Sequence, residues 1–174
     1  MFFSKHDWGE PSAAMAIMSG GPVYLSDKLD ASDPKIISKL CINGGELVRY
    51  DVAAKPTLDC YYTDCSKAET ALKLFSLAKD NIGFMALGGT KDKTVRGTFR
   101  LSDLPADVVK AEQYLMHDYI NDKYILVNQK SAIQFALGYE NCVIYTLYPI
   151  AEDETVSVGD PAYYCEGSMP PIKT

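Results

Sequence analysis

The chain has 174 residues, 47% of them hydrophobic and 23% charged, enough to bury one sizeable core or two small ones in an ordinary globular protein. Its net charge of −6 excludes the basic surface that a nucleic-acid binder needs. No apolar run approaches a membrane span, and two histidines, His6 and His117, are too few for a histidine-rich metal centre.

Met1 to Ser4 reads as the end of a strand that runs into a loop, residues 5–10, carrying His6, Asp7 and Trp8. Met1-Phe2-Phe3 leads into Lys5, His6 and Asp7 rather than into a long apolar core, so no signal peptide is visible. Pro11 suits a first helical position, because its missing N–H has no helical partner there. Residues 12–18 are apolar nearly all round and predict a closely packed helix, stopped by Gly20-Gly21. Pro22 then opens a continuous apolar run, Val23-Tyr24-Leu25, which predicts a strand over 22–26 buried on both faces, as in a parallel sheet. Asp33-Pro34 makes an N-cap and N1 pair for a short helix over 34–41, with Ile36, Ile37 and Leu40 as its apolar stripe. Loop, helix, buried strand, loop, helix is α/β grammar.

After Asn43-Gly44-Gly45 the periodicity changes. Residues 47–50 read as a short strand and 55–62 as an extended, proline-led segment. Residues 72–77 and 82–87 read as a β-hairpin around Lys79-Asp80-Asn81, and Gly88-Gly89 turns the chain again. Residues 94–101 alternate, with Val95, Gly97, Phe99 and Leu101 on one face. Further short strands are expected over 114–120, 124–127, 131–137 and 142–149. Such a run of short strands predicts an antiparallel β-sandwich. The boundary falls within residues 43–66. The expected division is 1–43 as the α/β piece, 44–65 as a connection and 66–174 as the β domain.

The five cysteines, Cys41, Cys60, Cys65, Cys142 and Cys165, match no metal motif, and Cys60 and Cys65 are too widely spaced for a C-x-x-C pair. They are expected to be reduced, mostly buried thiols of a cytoplasmic protein.

Several stretches, in order, resemble one family. Met1-Phe2, Ser4 and His6, followed by Ser19-Gly20-Gly21-Pro22-Val23-Tyr24-Leu25-Ser26-Asp27-Lys28, are similar to the raffinose synthase/seed imbibition proteins, relatives of the α-galactosidases. Asn43-Gly44-Gly45-Glu46-Leu47-Val48-Arg49 resembles that family's D-G-[ST]-[IV]-L-R. Lys55-Pro56-Thr57-Leu58-Asp59-Cys60-Tyr61 resembles R-P-T-R-D-C-L, and Leu72-Lys73-Leu74-Phe75-Ser76-Leu77 resembles L-L-K-I-W-N-L. Ser102-Asp103-Leu104 and residues 144–150 fit more weakly. The resemblance implies a catalytic barrel of eight β/α units followed by a β-sandwich. This chain would hold the last β/α units of the barrel, with 22–26 as the eighth strand, and the sandwich. The two catalytic aspartates of such enzymes would lie on strands preceding Met1. Ser12 and Ala16 depart from the family's frequent His and Arg, and Lys55 and Leu58 replace two arginines.

Retaining glycoside chemistry needs two carboxyl groups about 5 to 5.5 Å apart. Near the catalytic face this chain offers Asp7, Glu10 and Asp27. Asp7 and Glu10 either belong to the site or form a solvated loop. Asp27 is expected either to line the sugar pocket, at the carboxyl end of its strand, or to cap a loop. Trp8 either stacks on a sugar ring or packs, and His6 either bonds a hydroxyl or caps its loop. Asp59 and Cys60 are expected to be structural. No metal and no cofactor are expected.

The partners implied are α-galactoside oligosaccharides in the complete enzyme, without nucleic acid or membrane, and with self-association through an exposed barrel edge. The expected function is therefore part of a glycosidase or galactosyl-transferring enzyme, inactive by itself. The alternative is a non-catalytic carbohydrate-binding or assembly module of the same ancestry.

Overall fold

The computed structural model describes residues 1–42, 45–88 and 93–166. The protein is mostly β, with two short helices: α1, Gly9–Met18, and α2, Pro34–Ile37. The strands are β1 Lys55–Pro56, β2 Leu72–Ala78, β3 Asn81–Leu87, β4 Val95–Phe99, β5 Gln113–Asp118, β6 Lys123–Asn128, β7 Ile133–Leu137 and β8 Cys142–Pro149. Asn43 and Gly44 of the glycine motif at the expected boundary, Gly89 of the glycine turn, and 167–174 lie outside the described residues.

Six strands form one antiparallel sheet in the order β1-β2-β3-β8-β5-β6, and β4 pairs with β7 in a second, two-stranded sheet. The expected hairpin is present. Ala78 pairs with Asn81, and Lys79 turns the chain between them at φ 55°, as a two-residue hairpin requires. Asp51 accepts a hydrogen bond from the Lys79 N–H at 2.7 Å and helps hold that conformation.

Two cores use opposite faces of the large sheet, since alternate side chains point to opposite sides. On one face, Ile82, Phe84, Ala86, Val143, Tyr145 and Leu147 meet Val95, Phe99, Phe135 and Leu137 of the small sheet. The Phe84 and Tyr145 rings stack there at 5.6 Å, and Phe99 lies 4.5 Å from Phe84. Gly97 leaves room for the Phe135 ring, which any side chain at 97 would strike. On the other face, Met85, Leu87, Cys142 and Ile144 meet Ala13, Ala14, Ile17 and Met18 of α1, with Phe2, Leu40, Val48 and Tyr50. This two-sided cover explains why β3 and β8 are apolar almost without interruption, where a half-solvated antiparallel strand would alternate.

Three expectations need correction. Residues 22–26 form no buried strand: a single parallel bridge joins Phe2 to Leu25, and Tyr24 and Leu25 are 61% and 41% exposed. The reason is that, among the described residues, the segment's backbone pairs with Phe2, through Phe2 N–H to Tyr24 C=O at 3.0 Å and Ser26 N–H to Phe2 C=O at 2.8 Å. Residues 47–50 likewise reduce to one antiparallel bridge, Cys41 to Leu47. The expected helix over 34–41 keeps its N-cap, with Asp33 accepting from Lys35 N–H, but its α-helical part is only four residues long.

The segment after β8 crosses back over the second face. The Tyr164 N–H reaches Lys39 C=O at 3.3 Å, and the Tyr50 hydroxyl donates to Tyr164 C=O at 3.4 Å. Tyr164, Cys165 and Glu166 end buried against the N-terminal layer and the sheet.

Candidate functional site

The N-terminal layer is organised by one serine. Ser4 is buried, and its hydroxyl donates to Asp27 Oδ2 at 2.6 Å while accepting from the Asp33 N–H at 2.6 Å. Its own N–H donates to Asp27 Oδ1 at 2.8 Å. One hydroxyl has one proton and two lone pairs, so a single Ser4 can join both later segments. The Ser4 hydroxyl, with its backbone N–H, holds the Asp27 carboxyl below the usual carboxylate range. Both Asp27 oxygens are engaged, although each carboxylate oxygen keeps further lone-pair capacity.

His6 and Trp8 fall in the loop between Ser4 and α1. His6 is exposed, and its Nδ1 accepts from the Trp8 N–H at 3.2 Å. That bond leaves Nε2 to carry the proton of the neutral ring. Trp8 sits at the N-cap of α1 and is half-buried, edge-on to Tyr139 with ring centres 5.0 Å apart. An open groove of ≈ 300 Å³ is lined by Met1, Phe2, Phe3, His6, Trp8 and Ser12. The structure thus brings His6 and Trp8 together with two phenylalanines. Asp27 lies outside that lining, tied to Ser4.

Of the other two carboxylates, Glu10 is committed. Its Oε1 receives the Lys39 ammonium at 2.7 Å and the Tyr164 hydroxyl at 3.1 Å. Lys39 also lies 5.2 Å from the centres of both the Tyr119 and Tyr164 rings. Burial presses the Lys39 pKa down, but the hydrogen bond and charge of Glu10 together with Tyr119 outweigh it and the net shift is upward. Asp7 lines a separate cleft with Glu140 and Asn141 beside the start of α1.

Two further polar clusters escape a reading of the sequence. Lys73, in the apolar strand β2, donates to Asp59 Oδ2 and Asp103 Oδ2, both at 2.7 Å, and to Thr98 C=O at 3.0 Å. Asp59 is structural, as expected, because it also accepts from the Thr57 hydroxyl at 2.7 Å. The other cluster is His117, whose Nδ1 lies 2.7 Å from Glu166 Oε1 and whose Nε2 lies 3.2 Å from Asp122 Oδ1. The Tyr148 hydroxyl donates to Glu166 Oε2, and the Tyr124 ring stacks on His117 at 4.4 Å. The one available signal was a lone cation or histidine inside an otherwise apolar strand. Their buried partners Asp103 and Glu166 lie 30 and 49 residues further along, so only the fold identifies them. Among the described residues no group of three or more His, Cys, Asp or Glu could hold a metal ion. Nor is any helix among them long and apolar enough to cross a membrane.

Residues 1–87 match the family model of raffinose synthase or seed imbibition protein Sip1. The chain is similar to a galactinol–sucrose galactosyltransferase of Oryza sativa subsp. japonica, 35% identical over 80 residues that cover 45% of this chain and 10% of that protein. It is also similar to a stachyose synthase of Pisum sativum, 25% identical over 177 aligned positions that cover 87% of this chain and 21% of that protein. The chain therefore spans about a tenth to a fifth of the length of these relatives. Among solved structures it resembles a protein from Bacillus halodurans C-125 assigned as an alpha-N-acetylgalactosaminidase. That likeness has a TM-score of 0.61 at 12% identity and covers 82% of this chain and 32% of that one. At such identity the likeness is one of fold.

Proposed function

The chain belongs to the raffinose synthase or seed imbibition protein Sip1 family, and from that premise we propose that it forms a C-terminal region of an enzyme acting on α-galactosides. In this reading residues 1–43 close a catalytic β/α-barrel, 44–65 connect, and the antiparallel β domain follows. The observation that carries the proposal is the parallel bridge between Phe2 and Leu25, with α1 lying between them in the chain. A parallel pairing reached through a helix is the pattern of the β-α-β unit that repeats in such barrels, reduced here to one bridge. Ser4, His6 and Trp8 follow the first parallel segment and Asp27 follows the second. Both loops then leave from carboxyl ends, where barrel enzymes bind their ligands.

His6, Trp8 and Asp27 are the proposed sugar contacts. The face of Trp8 stacks on a pyranose ring, and the His6 Nε2–H donates to a sugar hydroxyl. Asp27 holds both loops through Ser4 and offers its remaining lone pairs to a hydroxyl. These residues bind and orient. The nucleophile and the general acid belong to other parts of the barrel, since Glu10 is bound to Lys39 and Tyr164 and Asp27 to Ser4. Galactinol-type donors and sucrose-type acceptors are the proposed substrates of the complete enzyme. The exposed Tyr24 and Leu25 support self-association through the open edge of this parallel pair.

Trp8 is the sole tryptophan, so intrinsic fluorescence reads this groove directly. Titration with raffinose or melibiose is expected to change Trp8 emission saturably, and maltose at equal concentration is not. His6→Ala should weaken the galactoside response by roughly tenfold, the worth of one hydrogen bond. The 174-residue chain should release no nitrophenol from an aryl α-galactoside. An unchanged emission, or one that maltose changes equally, overturns the sugar site. Turnover that survives repurification and vanishes in Asp27→Asn overturns the division of labour.

A further inference from the structure

The connection between β1 and β2 holds a pair of thiols that the sequence spacing does not suggest. Cys60 and Cys65 are both thiols and both buried. A succession of turns folds the loop on itself, with Cys60 N–H to Thr57 C=O at 3.0 Å, Thr63 N–H to Cys60 C=O at 3.2 Å, and Lys67 N–H to Asp64 C=O at 3.1 Å. The consequence is that two sulfurs converge on one oxygen. Cys60 Sγ lies 3.4 Å and Cys65 Sγ 3.8 Å from the carbonyl of Ala71, the residue just before β2. The Cys65 thiol also approaches Thr63 C=O, at 3.6 Å.

The geometry points to a redox-convertible dithiol: Cys60 and Cys65 form a reversible intraloop disulfide, with a small-molecule disulfide such as oxidised glutathione as the oxidant. One protein thiolate attacks a glutathione sulfur, and the first glutathione leaves as a thiolate that takes up a proton. The second protein thiol then loses its proton, attacks the protein sulfur of the mixed disulfide and releases the second glutathione. Two protein S–H bonds and one glutathione disulfide become one protein disulfide and two reduced glutathiones.

The environment sets the rate. Burial, the neighbouring Cys60 thiol and the carboxylates of Asp59 and Asp64 push the Cys65 thiol up to about 11. A thiol so rarely ionised reacts slowly at neutral pH and faster as pH rises. The site is therefore a slow brace rather than a rapid sensor. Its position gives the brace an effect. The same loop carries Asp59, which clamps Lys73, and the Leu58 N–H, which donates to Asp103 C=O at 2.9 Å. A 60–65 disulfide ties off the loop between these anchors and the first strand of the hairpin.

The test is equilibration of the whole chain in glutathione redox buffers, entered both from the folded reduced protein and by refolding from denaturant. Intact mass and peptide mapping follow. The expected product is about 2 Da lighter, without bound glutathione, and maps to Cys60–Cys65. Cys60→Ser and Cys65→Ser should each lose that product and retain one glutathione at the remaining cysteine. Formation should speed up roughly thirtyfold between pH 7 and pH 8.5, following the rise in thiolate of a thiol held at about 11. Phenylarsine oxide, which bridges two adjacent thiols, should bind the wild type at this loop and neither variant. Stable mixed disulfides at both positions of the wild type, a disulfide mapping to other cysteines, or thiols that stay reduced after refolding would each overturn the proposal.

Discussion

Replacing Lys73 by methionine isolates the ion cluster that joins the β1–β2 connection to the sheets. The methionine side chain would keep most of the aliphatic stem in place and remove only the ammonium. In the native protein that ammonium serves Asp59, Asp103 and the Thr98 carbonyl at once, and the Lys73 side chain is only 6% exposed. Breaking a fully buried pair by removing one partner costs about 3–5 kcal/mol, because the other charge is left unpaired. The partners here differ. Asp103 is 12% exposed and keeps a hydrogen bond from the Arg100 N–H, whereas Asp59 is 48% exposed and can rehydrate. Solvent screening reduces the Asp59 share to about 1 kcal/mol or less. The expected loss for Lys73→Met is therefore about 2–4 kcal/mol, most of it from stranded Asp103. Asp59→Asn should cost under about 1 kcal/mol. Lys73→Met combined with Asp103→Asn should recover part of the loss, giving a coupling of roughly 1–3 kcal/mol. Equilibrium urea unfolding at neutral pH and low salt measures wild type and each variant, with an unchanged slope as the check on two-state behaviour. A Lys73→Met protein within about 0.5 kcal/mol of wild type would refute the assignment of the cluster as a stabilising staple.

Three further outcomes are expected. Burial alone would lower the His117 pKa, but hydrogen bonds to Glu166 and Asp122 raise it. A raised folded pKa means the contribution is complete below the unfolded value of about 6.5 and is lost as pH climbs through the folded value, so the denaturation midpoint should fall over that window in wild type and stay flat in His117→Gln. Gly83→Ala drives a methyl into the Tyr50 ring; it should cost about 1–3 kcal/mol and lower the melting temperature by several degrees. Ser4→Ala removes the hydroxyl bonds to Asp27 Oδ2 and from the Asp33 N–H while the Ser4 N–H still holds Asp27 Oδ1, and it should cost about 1–2 kcal/mol and speed proteolysis within residues 28–33.

The β half was legible because its signals are local. Lys79-Asp80 between two apolar runs marks the hairpin, and Val95 and Phe99 keep the period of a half-buried strand and are buried, although that strand ends at Phe99 and Leu101 opens a 3-10 turn. The error over 22–26 came from a sound rule applied to the wrong run. Uninterrupted apolar sequence does signal burial on both faces, and β3 and β8 obey it. Val23-Tyr24-Leu25 has the composition, but among the described residues its backbone pairs with Phe2, by one bridge. At the candidate site, His6 could be named because it falls in a motif, and Trp8 because it is the sole tryptophan and lies in the same loop. Ser4 could not be given its role as hub, since serine is uninformative until Asp27 and Asp33 converge on it. The thiol pair was hidden likewise: a spacing of five excludes a C-x-x-C turn but not a loop folded back on itself.

The strand pairing also bears on synthesis. The ribosome delivers the chain from its amino end, so β2 and β3 can close as a hairpin as soon as both emerge. Their next neighbour, β8, is pinned by Ile82 opposite Leu147 and Leu87 opposite Cys142, and it emerges only after β4 to β7 have been made. Glu166, which locks the returning segment to His117 and Tyr148, follows later still. Until then the nascent hairpin carries two greasy faces and an open edge. That interval is when a chaperone has most to offer this polypeptide, and when neighbouring nascent copies on one message are most able to pair with each other in place of β8.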